Sequence, residues 1–166
     1  MGRKGRELVK LNLKDLIEDL RGAMALEWRA AYYFWYCSQV AEGLNSPPVS
    51  EFFKKQVGEE IGHAEELSER IQQLGGEPIG SPEDWVKYGK SIQPVRDHSD
   101  LAGMIKKALQ VEADAITLYD KLVNATRLKD VVTHELAEDL LKSEVAEEEE
   151  FENLLGSLLK VKGPKV

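Results

Sequence analysis

Cysteine occurs once in this 166-residue chain, at Cys37, so neither an internal disulfide framework nor a cysteine-rich zinc ribbon or rubredoxin module can form. Proline is scarce. All six (Pro47, Pro48, Pro78, Pro82, Pro94 and Pro164) fall between or after long apolar-periodic stretches, the distribution expected of an all-helical chain. No apolar run approaches the roughly 18 residues of a membrane helix, and no signal-peptide pattern opens the chain. The expected setting is therefore the cytoplasm, with no membrane partner. Positive charge is in deficit: the net charge of −8 argues against a dedicated nucleic-acid binder and suits a chain that handles cations. Alternating strand patterns are nearly absent, whereas helix-type periodicity is strong.

Four long helices are predicted, at about residues 13–44, 51–74, 100–125 and 129–159. The first carries Leu16, Leu20, Ala23, Glu27, Ala31, Phe34, Ser38 and Ala41 down one face, and "NSPPVS" is read as its stop. The second carries Phe53, Gln56, Glu60, His63, Leu67 and Leu74 and ends at Gly75-Gly76. Inward positions of the third are Leu101, Ile105, Leu109, Glu112, Ile116, Tyr119 and Val123. Those of the fourth are Leu136, Leu140, Glu144, Glu147, Phe151, Leu154 and Leu158. Between the second and third lies a connection too long for a simple turn. It holds a short helix at about 82–90, with Ser81 as N-cap and Asp84 closing a capping box. Helices of this length hide their apolar stripes only against one another. The expected architecture is a four-helix bundle over 1–166, two antiparallel hairpins joined by a crossover.

Most acids in such a chain are solvated surface. Glu27, Glu60, Glu112, Glu144 and Glu147 differ, because each stands where the 3.6-residue period requires an apolar side chain. Carboxylates at that depth are costly unless something positive meets them. His63 is the one histidine at their level, and no lysine or arginine points inward there, so a metal ion is the economical partner. The positions also repeat: Glu27 precedes Glu60 by 33 residues, Glu112 precedes Glu144 by 32, and each later helix adds a further candidate three residues on, His63 and Glu147. Antiparallel folding of two like hairpins brings all six to one level.

A Glu on one helix and Glu-x-x-His on the next, repeated in the second half, resembles the di-iron pattern of ferritin-like bundles. "ALEWRAAYYF", "GEEIGHAEELSERIQQLGGEP", "ALQVEADA" and "LLKSEVAEEEEF" are similar to the four helix segments of bacterioferritins, from about Leu13 to Leu159. The short helix of the crossover is more like Dps and archaeal Dps-like proteins. The resemblance thus places the chain in the ferritin-like superfamily, near the Dps-like branch with a bacterioferritin-type site inside the bundle. It departs from that pattern at Glu144-Val145-Ala146-Glu147, where a carboxylate replaces the second imidazole. Aligning without a gap would select Val145 and Glu148 instead, but Glu144 and Glu147 continue the inward stripe. Ile61 stands where bacterioferritins carry a haem-ligating methionine, so no haem is expected. Rubrerythrins carry a further acid at the position of Ala115. The tyrosine usual after the first-helix glutamate aligns with Phe34, which leaves Tyr33 or Tyr119 as substitutes.

The resemblance implies a ferroxidase that oxidises Fe²⁺ with O₂ or peroxide at a site of two irons per subunit, with manganese as an alternative metal, serving iron storage and oxidative-stress protection. It further implies Glu27 and Glu112 as terminal ligands, Glu60 and Glu144 as bridges, and His63 and Glu147 completing one ion each. A homo-oligomeric cage is expected, of twelve subunits in preference to twenty-four. The rival readings are a non-storage di-metal oxidase or peroxidase of low oligomeric state and a metal-free helical scaffold. Elsewhere, His98 and His134 read as capping or surface residues and Cys37 as a small buried one. The run "YYFWY" covers a whole helix circumference, so some of its rings, with Trp28, are expected at a subunit interface. The basic "GRKGRELVK" could touch DNA as some Dps tails do, but reads first as a frayed, solvated terminus.

Overall fold

Apolar stripes on four long helices leave one arrangement open to this chain, and the computed structural model, which describes residues 2–161, adopts it. Pro164 and the rest of the extreme C-terminus lie outside the described residues. Six α-helices occur among those described: α1 (Arg3–Glu7), α2 (Leu13–Val40), α3 (Ser46–Leu74), α4 (Pro82–Tyr88), α5 (Leu101–Thr126) and α6 (Val131–Val161). Contacts concentrate within the α2–α3 and α5–α6 hairpins, and the 75–100 crossover joins them. None of the described helices is long and apolar enough to cross a membrane.

Helix boundaries differ from the expectation at the paired prolines. "NSPPVS" begins a helix instead of ending one: α2 stops at Val40, and α3 starts at Ser46 with Pro47 and Pro48 in its first turn. A first-turn N–H has no helical acceptor, so a proline there sacrifices nothing and arrives with φ preset. At the far end of α3, Gly75 adopts φ +97°, the left-handed C-cap for which glycine is the usual choice. Beside it Gly76 is pressed between Ile17 and Ile71, where an added Cβ would stand 2.8 and 2.9 Å from their Cγ2 atoms. Ser81 occupies the N-cap position of α4, but its side chain makes no cap hydrogen bond to the backbone, and its hydroxyl faces the Asp84 carboxylate instead. The predicted capping box is absent.

The N-terminal segment is more ordered than a frayed tail. It forms the short, exposed α1, on which Glu7 pairs with Arg3 and Lys4, and the Lys10 amide donates to the Lys129 carbonyl at 2.8 Å. Trp28, half-buried, stacks on Trp85 of α4 at 6.0 Å, nearly parallel. That stack, with the Tyr88 hydroxyl donating to Glu18 at 2.9 Å and Arg21 donating to the Glu77 carbonyl, straps the crossover onto α2. Tyr32 and Trp35 stay exposed, while Tyr33 and Phe34 are buried.

Two apolar clusters fill the bundle. One, toward the crossover end of α3, gathers Leu16, Leu20, Leu67, Ile71, Tyr119, Leu122 and Leu140. The other is built on Phe34, Phe53, Met104, Ile105 and Phe151, with the Phe34 and Phe53 rings 5.3 and 5.7 Å from Phe151. Burial of each large side chain contributes roughly 1.5–3 kcal/mol. On α5 the fully buried line runs through Ala108, Glu112, Ala115, Tyr119 and Leu122. Leu109, Ile116 and Val123, expected inward, are only half-buried. Their strict seven-residue spacing drifts about 20° per heptad around a straight 3.6-residue helix, toward the edge of the core. Leu136 and Leu154 on α6 and Ala41 beyond α2 are half-buried as well.

Candidate metal centre

Between the two apolar clusters, each long helix delivers an acid. Glu27 lies between the stretches of α2 that feed the two clusters, and Glu60, Glu112 and Glu144 do the same on α3, α5 and α6. His63 and Glu147 follow one turn later on α3 and α6. All six sequence-identified residues therefore converge at one level, with side-chain ligand atoms close enough to form two quartets: Glu27, Glu60, His63 and Glu144, and Glu60, Glu112, Glu144 and Glu147. In each quartet the atoms lie within 4.8 Å of one another. Glu60 and Glu144 belong to both.

Burial is nearly complete, from 0 % exposed for Glu112 and Glu144 to 6 % for His63. Both carboxylate oxygens of Glu60, Glu112 and Glu144 have no hydrogen-bond partner, nor do Glu27 Oε2 and His63 Nδ1. Buried polar atoms left unpaired in such number are rare in folded proteins. They fit a cluster whose partner is a cation, because carboxylate oxygens and imidazole nitrogen are the donors that iron and manganese take. His63 Nδ1 stands 3.0 Å from Glu144 Oε1, 3.7 Å from Glu27 Oε2 and 3.8 Å from Glu60 Oε2.

Electrostatics show how strongly this cluster seeks positive charge. Burial, and then the neighbouring Glu27 charge, push Glu60 well above the usual carboxylate range. Burial and Glu144 push Glu112 up to about 11, and the same two causes raise Glu147 to about 7. Glu144 is raised chiefly by burial. His63 moves the other way from what burial dictates: desolvation disfavours its charge, yet Glu144 and Glu27 beside it lift it to about 10. Glu27 is the exception among the acids. Burial raises it, but Glu60, His63 and the Tyr119 hydroxyl together hold it below its ordinary value. A metal ion held here would have to compete with protons for the same oxygens.

Three further residues touch the cluster. The Tyr119 hydroxyl donates to Glu27 Oε1, whereas Tyr33 donates to the Met104 carbonyl at 3.1 Å, outside the site, so of the two candidate tyrosines only Tyr119 reaches it. Gln56, wholly buried, donates to Glu147 Oε2 at 3.1 Å. Ser143 lies 3.1 Å from His63 Nε2 and donates to Glu147 Oε1 at 3.0 Å. Gln56 carried the same signal as the acids, a polar residue in an apolar stripe one turn before Glu60. Ser143 carried none, being small and at the edge of its stripe.

The remaining sequence candidates lie elsewhere. Val145 is half exposed on the outer side of α6, and neither it nor Glu148 joins the quartets. His134 Nδ1 meets the Val123 carbonyl at 3.0 Å and so caps the end of α5, while His98 Nε2 pairs with the Tyr36 hydroxyl at 3.1 Å. Cys37 is buried and its thiol pushed up to about 11 by that burial. A surface cleft of about 640 Å³, lined in part by Arg29, Lys90, Asp114 and Lys121, contains none of the six residues.

Residues 17–161 match the ferritin-like domain of the ferritin family. The chain belongs to this family. Among curated ferritin-family relatives it is 30 % identical over 163 residues to the DNA protection during starvation protein of Pyrococcus furiosus, covering 93 % of this chain and 86 % of that one. It is also 30 % identical over 146 residues to the bacterioferritin of Desulfovibrio desulfuricans, covering 87 % and 76 %. Among solved ferritin-family structures, the bacterioferritin-related protein of Bacteroides fragilis, described as a dodecameric thioferritin, superposes with a TM-score of 0.90 at 28 % identity, covering 97 % of both chains. The Dps homologue of Halobacterium salinarum, with a TM-score of 0.77 at 20 % identity over 86 % of this chain and 80 % of that one, shares the fold.

Proposed function

We propose that the protein is a ferroxidase that binds two Fe²⁺ per chain inside the bundle and oxidises them for iron storage and protection from peroxide. The observation that carries this reading is the pair of ligand quartets sharing Glu60 and Glu144, whose oxygens have no hydrogen-bond partner outside the cluster. Shared carboxylates hold two ions close enough to act jointly on one oxidant. Glu27 and His63 would complete the first position, and Glu112 and Glu147 the second. Each Fe²⁺ gives up one electron. With peroxide, two electrons and two protons yield two waters and two Fe³⁺; with O₂, the same electrons and protons yield peroxide. The relatives named for DNA protection and the bacterioferritin support storage and protection as the setting.

Likeness to the dodecameric Bacteroides fragilis protein supports a cage of twelve subunits, and the exposed Tyr32 and Trp35 supply apolar surface for its contacts. In this reading the chain works in the cytoplasm. The decisive experiment adds Fe²⁺ anaerobically to metal-free protein, then O₂ or peroxide, and follows ferric absorbance with Glu60→Ala as control. Rapid oxidation of two irons per chain, lost in Glu60→Ala, is expected, and identical traces from the two proteins would overturn the reading. Light scattering tests the storage role, since a monomer or dimer would point to a non-storage oxidase instead.

A further inference from the structure

One side chain on α6 makes hydrogen-bond-distance contacts with a ligand candidate of each ion position. His63 belongs only to the first quartet and Glu147 only to the second. Ser143 reaches both, at 3.1 Å from His63 Nε2 and 3.0 Å from Glu147 Oε1. We infer that Ser143 is a positioning residue of the metal centre: its hydroxyl fixes His63 so that Nδ1 is the nitrogen offered to the metal, and ties that ligand to Glu147 across the two ion positions. The inference rests on the reading of the cluster as a two-metal site.

The direction of each hydrogen bond follows from proton counting. A serine hydroxyl has one proton to give and lone pairs to accept with. As a ligand Glu147 is ionised and can only accept, so the Ser143 proton goes to Glu147 Oε1. What remains for His63 is a lone pair, which demands a proton on Nε2. His63 then has only Nδ1 to offer, and Nδ1 is the atom that faces Glu144, Glu27 and Glu60. The other oxygen of Glu147 is held by Gln56 at 3.1 Å, so this carboxylate is anchored at both ends before any ion arrives. A histidine ligand whose second nitrogen is so held is oriented and made more basic, and loss of such a partner typically costs 10–100-fold in metal affinity. Ser143 itself is only part-buried and packs no cluster, which makes its replacement mild for the fold.

The test uses the full chain labelled with ¹⁵N-histidine, metal-free and then loaded with Zn²⁺ as a diamagnetic probe. His63 is one of only three histidines, so its ring nitrogens are readily assigned. Expected for the unaltered protein are Nδ1 bound to metal and a slowly exchanging proton on Nε2. In Ser143→Ala, that proton should exchange at least about tenfold faster and Zn²⁺ affinity should fall about 10–100-fold, with unchanged thermal unfolding of the metal-free protein. Ser143→Thr, which restores the hydroxyl, should recover both. Coordination through Nε2, or an alanine variant with unchanged proton exchange and affinity, would overturn the inference while leaving the two-metal reading intact. Failure of the unaltered protein to bind Zn²⁺ at all would overturn both.

Discussion

Divalent-metal binding to the metal-free protein should release at least about two protons per chain near pH 7.5. Two groups hold a proton there, His63 lifted to about 10 and Glu112 pushed up to about 11, and Glu60 is raised in the same direction by burial and the neighbouring Glu27 charge. Glu147, at about 7, is mostly ionised already and adds little. Each group must lose its proton to become a ligand. Because these folded-state values are raised, the protons are still held at neutrality and leave only as pH climbs through them. Metal binding should therefore tighten with rising pH, by about tenfold per pH unit for every proton displaced, or ~1.4 kcal/mol each. The same sign applies to the metal-free fold. Its protonated acids and His63 favour the folded state at low pH, and that contribution drains away as pH rises toward 10. The assay is calorimetric Zn²⁺ titration in buffers of different ionisation enthalpy, repeated about one pH unit to either side. Release of less than one proton, with affinity flat in pH, would refute the electrostatic account of the site.

Two other predictions follow from single side chains. Five carboxylates around two divalent ions leave the site one charge more negative than four would, which favours the ferric pair, so Glu147→His should raise its reduction potential in a spectroelectrochemical titration; an unchanged or lower value would contradict this. Arg70, buried on α3, is bound bidentately by Asp130, with Nη2 at 3.0 and 2.8 Å from the two oxygens, and its Nε donates to Thr133 at 2.8 Å. Arg70→Ala strands the buried Asp130 charge and should lower unfolding free energy by about 3–5 kcal/mol in a denaturant titration, whereas a loss under 1 kcal/mol would show that water reaches the pair.

Much of the site was legible because it violates a pattern. A carboxylate where the helix period calls for leucine is conspicuous one residue at a time, and Glu27, Glu60, Glu112 and Glu144 each did this at matching positions in two hairpins. Glu147 needed a choice between two registers, which the continuation from Leu140 to Phe151 made. What stayed hidden has a different character. Pro47 and Pro48 break a helix or open one depending on which residue precedes them in space, and local sequence carries both meanings. The Trp28–Trp85 stack joins residues 57 positions apart whose rings face each other only once the crossover is laid on α2. Ser143 acts through the two directions of one hydroxyl, and no periodicity marks that.

Neither ligand quartet can be assembled from one hairpin. The first takes Glu27, Glu60 and His63 from the α2–α3 pair but needs Glu144; the second takes Glu112, Glu144 and Glu147 from the α5–α6 pair but needs Glu60. Since contacts are densest inside each pair, ions bound as proposed would act as a clasp between two halves that otherwise meet mainly through side chains. A chain with every helix formed but its halves parted would have no site, so metal occupancy in the proposed centre would measure tertiary docking, which helix content alone does not register.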